Sequence, residues 1–276
     1  MGQMMNSPAE IMEANVNTGI YKVNLPFRKM VLKGMLAGAF IALAGAASST
    51  ASHAIENVGA ARSLAGAVFG VGLMLVLFMG ADLFTGNCLS ITAIMDKKIT
   101  WKQVIYNLIV IWFSNFLGAL IIDVLVVASG NLDYSYGLLG AYTIKVAVGK
   151  VALAPMAGLT SGILCNILVC FAVLMAVAAN DIGGKVWAIF FPILAFVICG
   201  FEHCVANMFY IPAGIMAKAN PAYVEKAMEV YHLTAEQIEG LTIVNSLSNF
   251  IPVTIGNILG GMIFVGLPMY LVHRKK

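Results

Sequence analysis

The chain has 276 residues, 61% of them hydrophobic and 11% charged, with a mean hydropathy of +0.91. Soluble domains carry about 25% charged residues, so the composition excludes a soluble globular protein and marks a polytopic membrane protein. A net charge of only +3, with no basic tract interleaved with aromatics, gives no reason to expect a nucleic-acid partner.

Residues 1–28 carry Glu10, Glu13, Lys22 and Arg28 and no apolar run of signal-peptide type, so no cleaved export signal is expected. Pro8, Ile11, Met12, Val16 and Ile20 fall at helical spacing behind a Ser7 cap. They predict an amphipathic helix, lying on the membrane surface or plugging a pore mouth. The first span is expected from about Met30 to Ser49, the length a bilayer requires, with a GxxxG at Gly34 and Gly38. A second apolar stretch, Leu64 to Met95, is too long for one crossing and is interrupted by Gly80 to Asn87, reading GADLFTGN. The third span, Ile105 to Val127, contains Asn115 and Asp123, and Asn131 to Lys150 reads as a polar connection.

The second half repeats this plan. Pro155 to Ala179 has a GxxxG at Gly158 and Gly162, and Trp187 to Ala217 is interrupted by GFEHCVAN at Gly200 to Asn207. A charged helical segment, Asn220 to Gly240, precedes the last span, Ile243 to Val272. The interruptions match as Gly80, Asp82, Asn87 against Gly200, Glu202, Asn207, and NxxG recurs at Asn115 and Asn257. With three spans per half, the second copy enters from the opposite face. The expected fold is an all-α membrane protein of six transmembrane helices in an inverted three-plus-three repeat with two broken helices. The repeats cover about 30–128 and 155–272, inside one channel domain of 29–276 behind the helix of 1–28.

Unpaired backbone groups at membrane depth cost several kcal/mol, so both breaks must line an enclosed cavity, the centre of a transport path. Lys22, Arg28, Lys29, Lys33, Lys97, Lys98, Lys102, Lys185, Arg274, Lys275 and Lys276 fall on one side of the spans. Arg62, Lys145, Lys150, Lys218 and Lys226 fall on the other, which predicts cytoplasmic termini. The five Cys lack metal-ligand spacing and read as small buried hydrophobes, so no metal and no cofactor is expected. His53, His203, His232 and His273 occur without HExxH or GxSxG, which argues against an intramembrane enzyme. His203 is the exception among them, because an ionisable side chain at a helix break in the membrane points to function. Asp82 and Glu202 are expected to cap the backbone N–H groups freed at their own breaks, with Glu202 also able to orient the His203 ring.

The strings GADLFTGN, GFEHCVANMFYIP (Gly200 to Pro212), GILCNILVC (Gly162 to Cys170) and IPVTIGNILGG (Ile251 to Gly261) resemble the formate/nitrite transporter family over nearly the whole chain. The resemblance implies an aquaporin-like fold and a homopentamer in the lipid of a prokaryotic inner membrane, passing small monovalent anions of weak acids. It leaves formate, nitrite and hydrosulfide open as substrates. It places His203 at the pore midpoint facing Thr85, with Asn166 and Asn257 beside it. It implies apolar constrictions at Phe69 and Phe196 on one side and at Leu73, Leu83 and Val169 on the other, and anion attraction by Lys150. On that basis His203 is expected to lend a proton, so that the solute crosses as the neutral acid. A neutral-solute pore of the aquaglyceroporin kind is the alternative of another class, although its paired Asn-Pro-Ala breaks are missing.

Overall fold

In the computed structural model, which describes residues 5–274, every extended element is helical. Among the described residues six helices are long and apolar enough to cross a membrane: Phe27–Ser52, Val58–Phe78, Trp101–Ala128, Pro155–Ala178, Ile182–Cys199 and Leu247–His273, here spans 1 to 6. Spans 2 and 5 are long arms, each followed after a break by a shorter apolar helix, Phe84–Met95 and Cys204–Ala217. This is the expected six-span bundle with two broken helices. The observed helices start before the predicted segments at Met30 and Leu64: span 1 begins directly after Pro26, and span 2 behind Asn57, whose Oδ1 accepts from the N–H of Ala60.

Each long arm stops at a glycine with positive φ, Gly80 at 66° and Gly200 at 71°, a conformation that a Cβ disfavours. The chain then folds back identically: the N–H of Ala81 reaches Val76 O at 2.9 Å and that of Phe201 reaches Phe196 O at 3.1 Å. These are the wrap-around bonds of a glycine C-cap. Spans 1 and 3 meet backbone to backbone, since a Cβ on Gly38 would stand 1.9 Å from Asn115 O and one on Gly118 1.9 Å from Met35 O. Gly260 approaches Ile163 O in the same way between spans 4 and 6.

The N-terminal helix, Pro8–Val23, opens with a reciprocal Ser7–Glu10 capping box. Its buried Met12 and Val16 face the bundle, and Asn15 donates to Leu89 O and Thr92 Oγ1. Its Thr18, Tyr21 and Lys22 line a cavity together with Lys33 and Asp82. The stretch expected as a polar connection after span 3 is instead a helix, Tyr134–Val151, entered through left-handed Ser135, Tyr136 and Gly137. Its buried stripe of Leu139, Ile144, Ala147 and Val148 has helical period, but intervening Gly and Lys mask it in the sequence. The charged segment is two helices, Pro221–Tyr231 and Ala235–Glu239, divided by left-handed His232. Lys275 and Lys276 of the charge count lie outside the described residues. Four cysteines are buried, whereas Cys199 is exposed at the end of its arm, contrary to the expectation of burial throughout.

Candidate functional site

Two asparagines hold the breaks open. Asn115 accepts from the N–H of Phe84 at 2.9 Å and donates to Gly34 O at 2.8 Å and Asp82 O at 3.0 Å. Asn257 accepts from the N–H of Cys204 at 2.9 Å and donates to Gly162 O at 2.8 Å and Glu202 O at 3.0 Å. The distances match bond for bond, so Gly34 corresponds to Gly162, one turn away from the pairing that the two GxxxG strings suggest. These amides do what was expected of the acids. Neither Asp82 nor Glu202 accepts a backbone N–H; the N–H of Asp82 goes to Lys33 O and that of Glu202 to Ser161 Oγ.

The carboxylates face lysines instead. Glu202 accepts from Lys150 Nζ at 2.6 Å, Asn207 Nδ2 at 2.7 Å and Asn249 Nδ2 at 3.2 Å. Asp82 lies 3.2 Å from Lys22 Nζ and 3.6 Å from Lys33 Nζ. The frames around them also repeat: Asn107 Nδ2 donates to Lys22 O and Asn249 Nδ2 to Lys150 O, while Asn87 bonds Asn107 as Asn207 bonds Asn249. Lys22 is therefore the counterpart of Lys150, a role that sequence reasoning missed. The signal was present: Lys22 precedes Phe27 by as many residues as Lys150 precedes Pro155, the first residues of spans 1 and 4.

A cavity of about 160 Å³ is lined by Lys150, Tyr210, Phe69, Phe196 and His203. A second, of about 460 Å³, is lined by Lys22, Lys33, Asp82, Val76 and Val173. We call them the Lys150 and Lys22 vestibules. Phe69 and Phe196 meet edge to face at 5.7 Å between ring centroids, at the inner end of the first. Leu73, Leu83 and Val169 are buried and line neither vestibule. Along their helices Leu73 falls between Phe69 and Val76, and Val169 lies one turn before Val173. All three belong to the buried apolar core beside residues that line the two vestibules, a layer we call the septum.

His203 stands at the septum, 3% exposed. Its Nδ1 accepts from the N–H of Ala206 at 3.0 Å, and its Nε2 lies 3.1 Å from Thr85 Oγ1. A backbone N–H can only donate, so Nδ1 carries the lone pair and the ring is the neutral tautomer protonated on Nε2. That N–H donates to Thr85, whose own hydroxyl proton is left to point elsewhere. Ala206, not Glu202, orients the ring. The expectation that His203 lends a proton also changes, because giving up the Nε2 proton from this tautomer would leave a buried, unpaired anion. Asn166 and Asn257 are beside this pair, line neither vestibule and bond to backbone carbonyls. Asn166 Nδ2 donates to Thr85 O and Asn257 O, and it ties the short arm of span 2 to span 6. Asp123 is fully buried in span 3 with neither carboxyl oxygen hydrogen-bonded, and it lines neither vestibule.

Among the described residues no group of three His, Cys, Asp or Glu is placed to hold a metal ion. What the arrangement offers is a pair of vestibules, each lined by lysine that meets a buried carboxylate, separated by an apolar septum that contains one imidazole–hydroxyl contact.

The model of the formate/nitrite transporter family matches residues 9–271. A probable formate transporter of Methanothermobacter thermautotrophicus is 36% identical over 294 residues, covering 100% of both chains. The formate channel FocA of Escherichia coli strain K12 is 33% identical over 274 residues, 98% of this chain and 95% of that one. Among solved structures, a pentameric formate channel with formate bound superposes with a TM-score of 0.78 at 32% identity, covering 89% of this chain and 97% of that one. An FNT family ion channel superposes with a TM-score of 0.82 at 25% identity, over 95% and 98%. Sequence, fold and the twice-broken bundle agree: this chain is a multi-pass membrane protein that belongs to the formate/nitrite transporter family of channels and transporters, not enzymes.

Proposed function

We propose that the protein is a channel for small monovalent weak acids, formate first among them, with nitrite and hydrosulfide as the competing substrates. It sits in the cytoplasmic membrane of a prokaryote with both termini inside, as a homopentamer with one pathway per protomer. The observation that carries this reading is the single His203–Thr85 contact at a dry septum, flanked on each side by a lysine–carboxylate vestibule. The relatives named as formate transporters and channels, and the formate-bound pentamer, support the choice of substrate and assembly.

Magnitudes select the species that crosses. Moving an anion into an apolar constriction costs on the order of 20 kcal/mol by the Born estimate, and still several after relaxation. Protonating a carboxylate of pKa about 4 at pH 7 costs about 3 units at 1.36 kcal/mol each, near 4 kcal/mol. The neutral acid is the cheaper permeant. Lys150 holds the anion by a short-range hydrogen bond beside the rings of Phe69 and Phe196, and the proton joins it there from vestibule water. The Thr85 hydroxyl and the His203 Nε2–H then hold the neutral acid by hydrogen bonds across the septum.

His203→Asn separates this from proton transfer by the ring, since the amide keeps a donor but does not titrate. In proteoliposomes loaded with a pH dye, we expect formate uptake with co-entry of protons to persist in this variant, with the same pH profile and a rate lowered by about tenfold for one lost or misplaced hydrogen bond. A profile that flattens between pH 5 and 8 would return the proton to the ring. Competition among formate, nitrite, hydrosulfide and acetate ranks the substrates, and vesicle swelling in glycerol would favour the neutral-solute pore.

A further inference from the structure

The Lys150 vestibule is lined by two cations, Lys150 and Arg62. They differ in what faces them. Lys150 Nζ is 2.6 Å from Glu202 Oε1, so its charge is cancelled at contact distance, and the pair presents a dipole to an ion still far away. Arg62 makes no ion pair among the described residues. Its Nη1 donates to Ile198 O at 3.2 Å and lies 3.3 Å from where a Gly200 Cβ would be, so the guanidinium is braced across the end of the long arm of span 5. The other N–H donors of its fork have no protein acceptor among the bonds of the described residues.

Position adds to this. Arg62 also lines an adjoining hollow of about 450 Å³ that shares Ser52 and Tyr142 with the vestibule, so it stands at the neck between the two. The other charged groups of the hollow are Glu56, which forms no ion pair with it, and Lys145. Lys145 is held over the rings of Tyr142 and Tyr231, at 5.6 and 4.8 Å from their centroids. At the other mouth two lysines share one carboxylate. Lys22 and Lys33 both face Asp82, whereas Lys185, also lining the Lys22 vestibule, makes no ion pair among the described residues. Arg62 and Lys185 each lie near the start of a long arm, on span 2 and span 5.

We propose that Arg62 and Lys185 are the capture residues of the two mouths, each a first-contact site for a small oxyanion, which then passes to the carboxylate-bound lysines of the same vestibule. A fixed guanidinium matches a carboxylate through two parallel N–H bonds, so the Arg62 site favours formate-like anions over monatomic ones. Lys185 acts as a point charge. Division of labour is the reason for two cations: a lysine cancelled by its own carboxylate gives a hydrogen bond at short range, but little long-range pull. The proposal rests on the reading of the chain as a small-anion pathway.

The test is the initial rate of formate entry against concentration, in membrane vesicles of known sidedness, at low and high ionic strength, for the wild type, Arg62→Gln, Arg62→Lys and Lys185→Gln. With formate arriving at the Lys150 side, Arg62→Gln should raise the half-saturating concentration by about tenfold at low salt, the lower end of what a focused charge provides. Salt should close the gap. Arg62→Lys should recover most of the salt-dependent attraction but lose the preference of formate over chloride as a competitor. Lys185→Gln should show its effect only from the Lys22 side. Half-saturation and salt dependence equal to wild type in Arg62→Gln would overturn the assignment while leaving the channel reading intact. Wild-type vesicles that carry none of formate, nitrite or hydrosulfide would overturn the channel reading and this assignment together.

Discussion

Asn257 has every hydrogen-bonding group of its amide committed to the backbone around the second break. Asn257→Ala would strand the Cys204 N–H and the Glu202 carbonyl in a buried site, at roughly 1–3 kcal/mol per unsatisfied group, while the Gly162 carbonyl keeps its helical partner. Allowing for partial rescue by water, we expect a loss of about 3 kcal/mol, read as a lower melting temperature in detergent. Asn115→Ala should match it, because its three bonds are the same. Unequal losses would mean that the two breaks are not held alike. The sequence made the NxxG motifs visible, but not their task. An asparagine in an apolar span reads equally as a solute contact, an interhelical bond or a backbone clamp, and only the positions of Phe84 and Cys204 decide among them.

At the scale of elements, the end of span 6 is fastened to the loop after the short arm of span 2. Arg274 reaches both oxygens of Asp96 at 3.0 and 2.8 Å, and Tyr270 donates to the same carboxylate at 2.9 Å. Hydrogen bonding to Arg274 holds the Asp96 carboxyl below its usual value of 3.8. The folded-state value being depressed, the contribution to stability is complete above the ordinary carboxylate range and is lost as pH falls through the lowered value. Asp96→Asn should therefore lower the melting temperature at neutral pH, and the difference from wild type should shrink on acidification toward pH 3. A gap independent of pH would assign the effect to packing. The connection after span 3 teaches the same lesson about elements: its helix forms because a buried stripe meets the short arm of span 5, and that partner is distant in the chain.

For the whole molecule, the repeat is close to symmetric in the frames around its two breaks and loses that symmetry at the septum. Lys22 and Lys150, Asp82 and Glu202, Asn107 and Asn249, and Asn115 and Asn257 form matching frames, yet Leu83 stands where the other half has His203. One imidazole at one septum is the outcome. Such a protomer also exposes apolar faces, among them Ile109, Phe113 and Leu117 along span 3, that lipid or a neighbouring copy must cover. We expect native mass spectrometry of the solubilised protein to give five times the 29.3 kDa chain mass. Functional protein found only as a monomer would reject the pentamer.

The sequence by itself determined the membrane class, the six crossings, the two glycine breaks and the family, because hydrophobic length and positive-φ glycines act over a few residues. Tertiary structure alone decided the rest: the lysine partners of Asp82 and Glu202, the tautomer of His203, the seat of the N-terminal helix and the equivalence of Lys22 with Lys150. Each of these turns on which donor meets which acceptor across the bundle. In a membrane interior buried backbone polar groups must find a partner, and the partner that satisfies each at a break is set by how the helices pack, not by its place along the chain.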